Sequence, residues 1–275
     1  MPQIDVPLVR GRFGATSRPD NWWIQPLAVF LGFSAFIVYS TWAALQGKNY
    51  MAGPLLSPMY SPLIFGPESV AWIHGTGVPS WFPSFLPFSA AMLVLWAPGG
   101  FRFTCYYYRG AYYKAFWADP VSCAVGEPRK SFLGENSFPL IMQNIHRYFL
   151  YFALAFLVLL TYDLWLAIWF QVDAAGKTYA DNKEHFGIGL GTLIMILNVV
   201  LLSSYTLGCH SLRHLVGGKK DEISKSKVCK KSYDCVSCLN RRHMLFAWCS
   251  LFCVGFTDVY IRLCAMGIWH DWRII

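Results

Sequence analysis

The stretch Phe186–Leu207, FGIGLGTLIMILNVVLLSSYTL, contains no charged residue from end to end. Crossing a hydrocarbon core of about 30 Å takes roughly 20 apolar residues as a helix, so this segment reads as a transmembrane span. Working outward from it, the same test finds Ile24–Leu45, with Pro26 placed where a first helical turn tolerates it. It finds Tyr148–Phe170 with one acid, Asp163, and Met244–Gly267 with Asp258 and Arg262. Leu86 to about Tyr106 also qualifies, although Pro98, Gly99 and Gly100 are expected to kink or end it. The expectation is an all-α membrane protein of five transmembrane helices, about 24–45, 86–106, 148–170, 186–207 and 244–267. Residues 1–23 form an N-terminal segment, 24–267 the helical domain and 268–275 a short tail. No pattern of alternating ten-residue segments suggests a barrel.

Composition agrees. Of the 275 residues 55% are hydrophobic and 17% aromatic, and only 14% are charged, against roughly 25% in soluble domains. The cations orient the spans. The N-terminal segment, the loop from Arg102 to Arg147 and the loop from Arg213 to Arg242 hold three, six and nine Lys and Arg, 18 of the 23 in the chain. By the positive-inside rule that side is cytoplasmic, the N-terminus is inside and the C-terminus outside. Topology explains these basic stretches, and no nucleic-acid partner is expected. Residues 1–23 are polar and lack a small-residue cleavage site, so no targeting peptide is expected. No internal repeat stands out. The long external loop, Gln46–Phe85, is rich in Pro, Gly and aromatics and should lie along the outer interface.

Cysteine and histidine share the asymmetry. Cys249, Cys253 and Cys264 lie in the last span as small buried hydrophobes, whereas Cys105, Cys123, Cys209, Cys229, Cys235 and Cys238 fall at or beyond the cytoplasmic helix ends. In a reducing compartment, six such thiols point to metal rather than disulfides. His146, His210, His214 and His243 lie on the same side; His74, His185 and His270 fall outside and read as surface groups. Four helix ends thus supply a ring of Cys105, His146, Cys209 and His243, with Cys123 and His210 as substitutes. Two thiolates and two imidazoles suit a mononuclear zinc site, or a Rieske-type [2Fe–2S] centre in which two His replace two Cys on one iron. Two imidazoles alone would suit a bis-histidine haem. Cys229 with the CxxC pair Cys235 and Cys238 is a rival zinc site, completed by Cys209, His214 or His243.

At these residues the chain resembles a known family. TCYYYRGAYYK (104–114), ADPVSCAVGEPR (118–129), QNIHRYF (143–149), GCHSLRH (208–214), LNRRH (239–243) and TDVYIRL (257–263) resemble the cytochrome-b-like membrane anchor of succinate dehydrogenase and fumarate reductase. They are most similar to its haem-less class with a Rieske-type cluster. The likeness extends from about residue 85 to 267; before that it is one of character only. It implies a non-flavin membrane subunit that binds a flavoprotein and an iron–sulfur subunit on the cytoplasmic side. That subunit passes electrons through a [2Fe–2S] centre to ubiquinone or menaquinone, with haem b the lesser alternative, in a bacterial plasma membrane.

Aromatic and cationic groups near the ring, Tyr112, Tyr113, Lys114, Trp117 and Arg147, suit a pocket for a quinone, with Tyr113, Trp117 and Arg147 favoured; the plainer reading is an interfacial belt. A second function class remains open, a zinc-stabilised membrane scaffold or transporter without redox chemistry. Asp163 and Asp258, some 22–26 Å beyond the ring at about 1.5 Å per residue, are either structural or steps of a proton path. Asp258 and Arg262, four residues apart, favour an ion pair. Quinone type, direction of turnover and any higher oligomer are left open.

Overall fold

The computed structural model describes residues 21, 23–66, 71–74, 82–83, 89–110, 112, 136–138, 141–172, 179–181, 183–218 and 222–275. Tyr113, Lys114, Trp117 and Cys123 lie outside them.

Among the described residues eight α-helices follow in order: α1 (Ile24–Leu45), α2 (Met92–Thr104), α3 (Tyr106–Gly110), α4 (Ile141–Leu166), α5 (Leu190–Leu207), α6 (His210–Gly217), α7 (Lys227–Asn240) and α8 (His243–Ala265). Four of them, α1, α4, α5 and α8, are long and apolar enough to cross a membrane. They carry four of the five expected spans, with α4 starting seven residues earlier than expected and α5 four residues later.

The expected second span differs. Helix α2 has 13 residues, about 20 Å of helix, short of the hydrocarbon thickness. Pro98 does not end it. The helix runs through Pro98, Gly99 and Gly100 and stops at Cys105, whose backbone is extended (φ −66°, ψ 134°). Gly100 permits this course because a Cβ there would collide with the ring of Phe149 on α4. The glycine sets a close approach of α2 to α4 instead of a break.

Contacts at two levels fix the relative directions of the helices. Midway along α1, Phe33 stacks on Tyr108 (ring centroids 4.7 Å apart), and Ser34 Oγ lies 3.1 Å from Tyr112 Oη. At the end of α1, the Ala43 carbonyl accepts from Arg262, near the end of α8. Helices α1, α4 and α8 therefore run one way, and α2 and α5 the other. The buried side chains form separate clusters: Phe101, Leu150, Tyr205, Cys209 and Leu251 lie toward one end, and Leu55, Ala167, Met195, Tyr260 and Ile261 toward the other.

The loop after α1 closes that second end. Met51–Ala52 pairs antiparallel with Leu55–Leu56 around Gly53, whose φ of +57° suits a residue without Cβ. Ser57 then caps the 3₁₀ turn Pro58–Tyr60, and the Tyr60 hydroxyl donates to the Ala44 carbonyl (2.8 Å). The chain end returns to the same place, with the Ile274 N–H on the Ile188 carbonyl (2.7 Å). The expected interfacial loop is thus partly a plug: Leu55, Leu56, Met59 and Tyr60 are buried while Trp72 is exposed.

Candidate redox centre

At the opposite end, the structure brings together Cys105, His146, Cys209 and His243. All four are buried and line one cavity of about 360 Å³. His146 Nε2 lies 3.2 Å from Cys209 Sγ, and His243 Nε2 lies 4.0 Å from Cys105 Sγ.

Each cysteine is presented by the same local device. A long helix stops, one residue adopts an extended backbone, and a short helix leaves at an angle. Cys105 does this between α2 and α3, and Cys209 between α5 and α6, with φ −66° in both and ψ 134° and 138°. The carbonyl of each accepts the first N–H bonds of the following helix, Arg109 to Cys105 at 3.0 Å and Arg213 to Cys209 at 3.1 Å. Gly208 makes the second break possible, because a Cβ there would meet the Ser204 carbonyl at 2.7 Å.

The histidines complete a local two-fold pattern. Four residues before each cysteine an aromatic ring stacks on one imidazole. Phe101 lies on His146 (4.5 Å, 9°) and Tyr205 on His243 (5.0 Å, 14°). Each imidazole then faces the cysteine of the other half. Sequence reading missed this repeat because it is only an aromatic and a cysteine four residues apart, FRFTC and YTLGC, followed at a variable distance by histidine.

The two imidazoles are held differently. Thr104 Oγ1 bonds to the Gly100 carbonyl (2.7 Å) and lies 2.8 Å from His146 Nδ1. With its own proton on Gly100, the hydroxyl accepts from Nδ1–H, which leaves the His146 Nε2 lone pair facing the thiol. His243 Nδ1 is buried and has no hydrogen-bond partner among the described residues. Burial pushes the Cys209 thiol up to about 11, so it ionises at neutral pH only if a cation draws the proton away.

Among the described residues, no three His, Cys, Asp or Glu side chains converge on one point as ligands of a single ion. The ring is therefore two facing Cys–His pairs, not the common point expected from topology. His210 and Arg147 line the same cavity. His210 pairs with His214 across one turn of α6, Nε2 to Nε2 3.0 Å, and both are exposed. Tyr112 is tied to α1 through Ser34. Cys229, Cys235 and Cys238 lie along α7, the last two exposed, and none lines the cavity.

A family described as actinobacterial succinate dehydrogenase subunit SdhC matches residues 24–267. The chain belongs to this SdhC family. It is therefore a succinate dehydrogenase membrane subunit, a multi-pass protein of the bacterial plasma membrane. It is also similar to a chain of the Mycobacterium smegmatis Sdh1 complex in the apo form, at 42% identity over 94% of each chain with a TM-score of 0.77. No curated protein matches.

Proposed function

We propose that this SdhC chain anchors a flavoprotein and an iron–sulfur subunit to the cytoplasmic face and hands their electrons to membrane quinone. The handover uses a Rieske-type [2Fe–2S] centre held by Cys105, Cys209, His146 and His243. The observation that carries this reading is the buried ring itself. Two thiols and two imidazoles from four helices match the Rieske donor set. Two facing pairs suit a two-iron core better than one tetrahedral zinc, with the difference from the usual Rieske arrangement that each pair mixes a thiol and an imidazole instead of setting both imidazoles together. Each imidazole faces a thiol and not the other imidazole, which disfavours a bis-histidine haem. Such a centre supplies one-electron transfer between the soluble subunits and quinone.

The residues of the chain do the rest. The four helix ends set the ligand positions without a flexible loop, so little reorganisation accompanies turnover. Thr104 holds His146 in the tautomer that points Nε2 inward. Arg147 and Gln143 line the cavity beside the ring and are placed to donate to a quinone carbonyl. Helix α2, though short, runs antiparallel to α4 and parallel to α5, so we read it as the fifth span, with the ring end cytoplasmic as the cations require.

Metal analysis and electron paramagnetic resonance on the purified complex test the proposal. Two irons assignable to this chain and a Rieske-type signal are expected. A colourless, zinc-bearing subunit that is silent to resonance would replace it with the scaffold reading.

A further inference from the structure

A cation on α2 is buried close to the ring. Arg102 on α2 is 6% exposed, and among the described residues no carboxylate lies within ion-pair distance of it. Each bond it makes among the described residues is to a neutral group. Nη1 donates to the Tyr108 hydroxyl (2.8 Å) and the Ala247 carbonyl (3.2 Å), and Nη2 to Ser250 Oγ (3.0 Å). Its guanidinium lies 4.9 Å from the centroid of the Tyr205 ring, the same ring that stacks on His243. The contrast with Arg262 is instructive. That residue, equally buried at the other end of the bundle, faces Asp258 at 2.7 Å. Burying a cation unpaired costs several kcal/mol, so such a residue in a membrane helix calls for a role.

We infer that Arg102 sets the reduction potential of the centre, its fixed positive charge favouring the reduced form. This rests on the [2Fe–2S] reading above. The charge arithmetic gives the sign. A 2+ core with two thiolates and two neutral imidazoles is neutral, and the one electron arriving from the iron–sulfur subunit adds a negative charge, which leaves again to quinone. A guanidinium one residue layer away, behind Tyr205 and three residues before Cys105, stabilises only the charged state. Interior electrostatics are weakly screened, so the effect survives high salt. The fork of neutral hydrogen bonds keeps the guanidinium in place without cancelling its charge.

Redox titration of the purified complex followed by electron paramagnetic resonance tests this. Arg102→Gln, which keeps polar atoms and removes the charge, is expected to lower the potential by at least about 59 mV, about tenfold in the one-electron equilibrium. Arg102→Lys, which keeps the charge and loses the fork, should stay close to wild type. Tyr108→Phe removes a bond and no charge and should leave the potential alone. If Arg102→Gln does not assemble, Ser250→Asp places a carboxylate against an intact Arg102 and should give the same drop. Equal potentials in the charge-removing and charge-keeping variants would overturn the inference. Absence of the [2Fe–2S] signal from the wild-type complex would instead overturn the reading on which it rests.

Discussion

At the residue scale, the ring makes unequal demands on its members. Replacing His146 and His243 together by Ala removes both imidazoles. Quinone reduction should then be lost while reduction of a soluble dye by the flavoprotein continues, measured side by side on the same complex. Cys235→Ser and Cys238→Ser, on the exposed side of α7, should leave both activities at wild-type level. Thr104 is the subtler case. Thr104→Val keeps the shape and deletes the acceptor for His146 Nδ1–H. Loss of such an outer partner typically costs 10–100-fold in metal affinity, so chelator challenge should strip the variant about 10-fold faster or more. Thr104→Ser should restore wild-type resistance. A valine variant as resistant as wild type would show that the hydroxyl only caps its own helix, through Gly100.

At the scale of elements, two junctions carry the architecture. Helix α2 reaches α4 through Gly100, where Phe149 occupies the space a Cβ would need. Gly100→Ala should push α2 from α4 and separate Cys105 from its partners. Loss of the resonance signal in a complex that still contains all its subunits is the expected result. At the far end, Asp258 is fully buried. It accepts from Arg262 Nε (2.7 Å), the Tyr39 hydroxyl (2.5 Å) and the Ser57 hydroxyl, tying α8 to α1 and to the loop plug. Asp163 on α4 accepts from Ser61 in the same loop. Among these contacts is the ion pair that the spacing to Arg262 suggested. Asp258→Asn strands the Arg262 charge, a change that typically costs about 3–5 kcal/mol. The complex should lose thermal stability clearly in a melting assay while turnover per assembled complex holds. A variant with normal melting and lost quinone turnover would revive the proton path.

At the scale of the whole molecule, the chain is a bundle with two differently finished ends. One is plugged by its own loop and its own terminus. The other carries most of the Lys and Arg among the described residues and opens the ring cavity outward, flanked by α3, α6 and α7. A tag on this chain should therefore recover a flavoprotein and an iron–sulfur protein in equal amounts. A monodisperse, stable, isolated chain would contradict the anchor reading.

How much of this was legible in the sequence follows from the physics of each part. Spans α1, α4, α5 and α8 were readable because solvation by lipid demands long uncharged runs, a property of composition alone. The ring residues were readable too, because helix ends on one side of a membrane must lie close together. What the sequence could not contain is how helices approach and stop. Pro98, Gly99 and Gly100 suggested a break, yet contact with Phe149 turned the glycine into a packing surface and moved the break to Cys105. The pairing of each imidazole with the cysteine of the other half, the lock of Thr104 on His146 and the unpaired charge of Arg102 depend on side chains from different helices meeting in one place. Composition and hydropathy determined that this chain enters the membrane and which residues gather at one end. Only tertiary packing, through close-range contacts between sequence-distant groups, decided how those residues face each other.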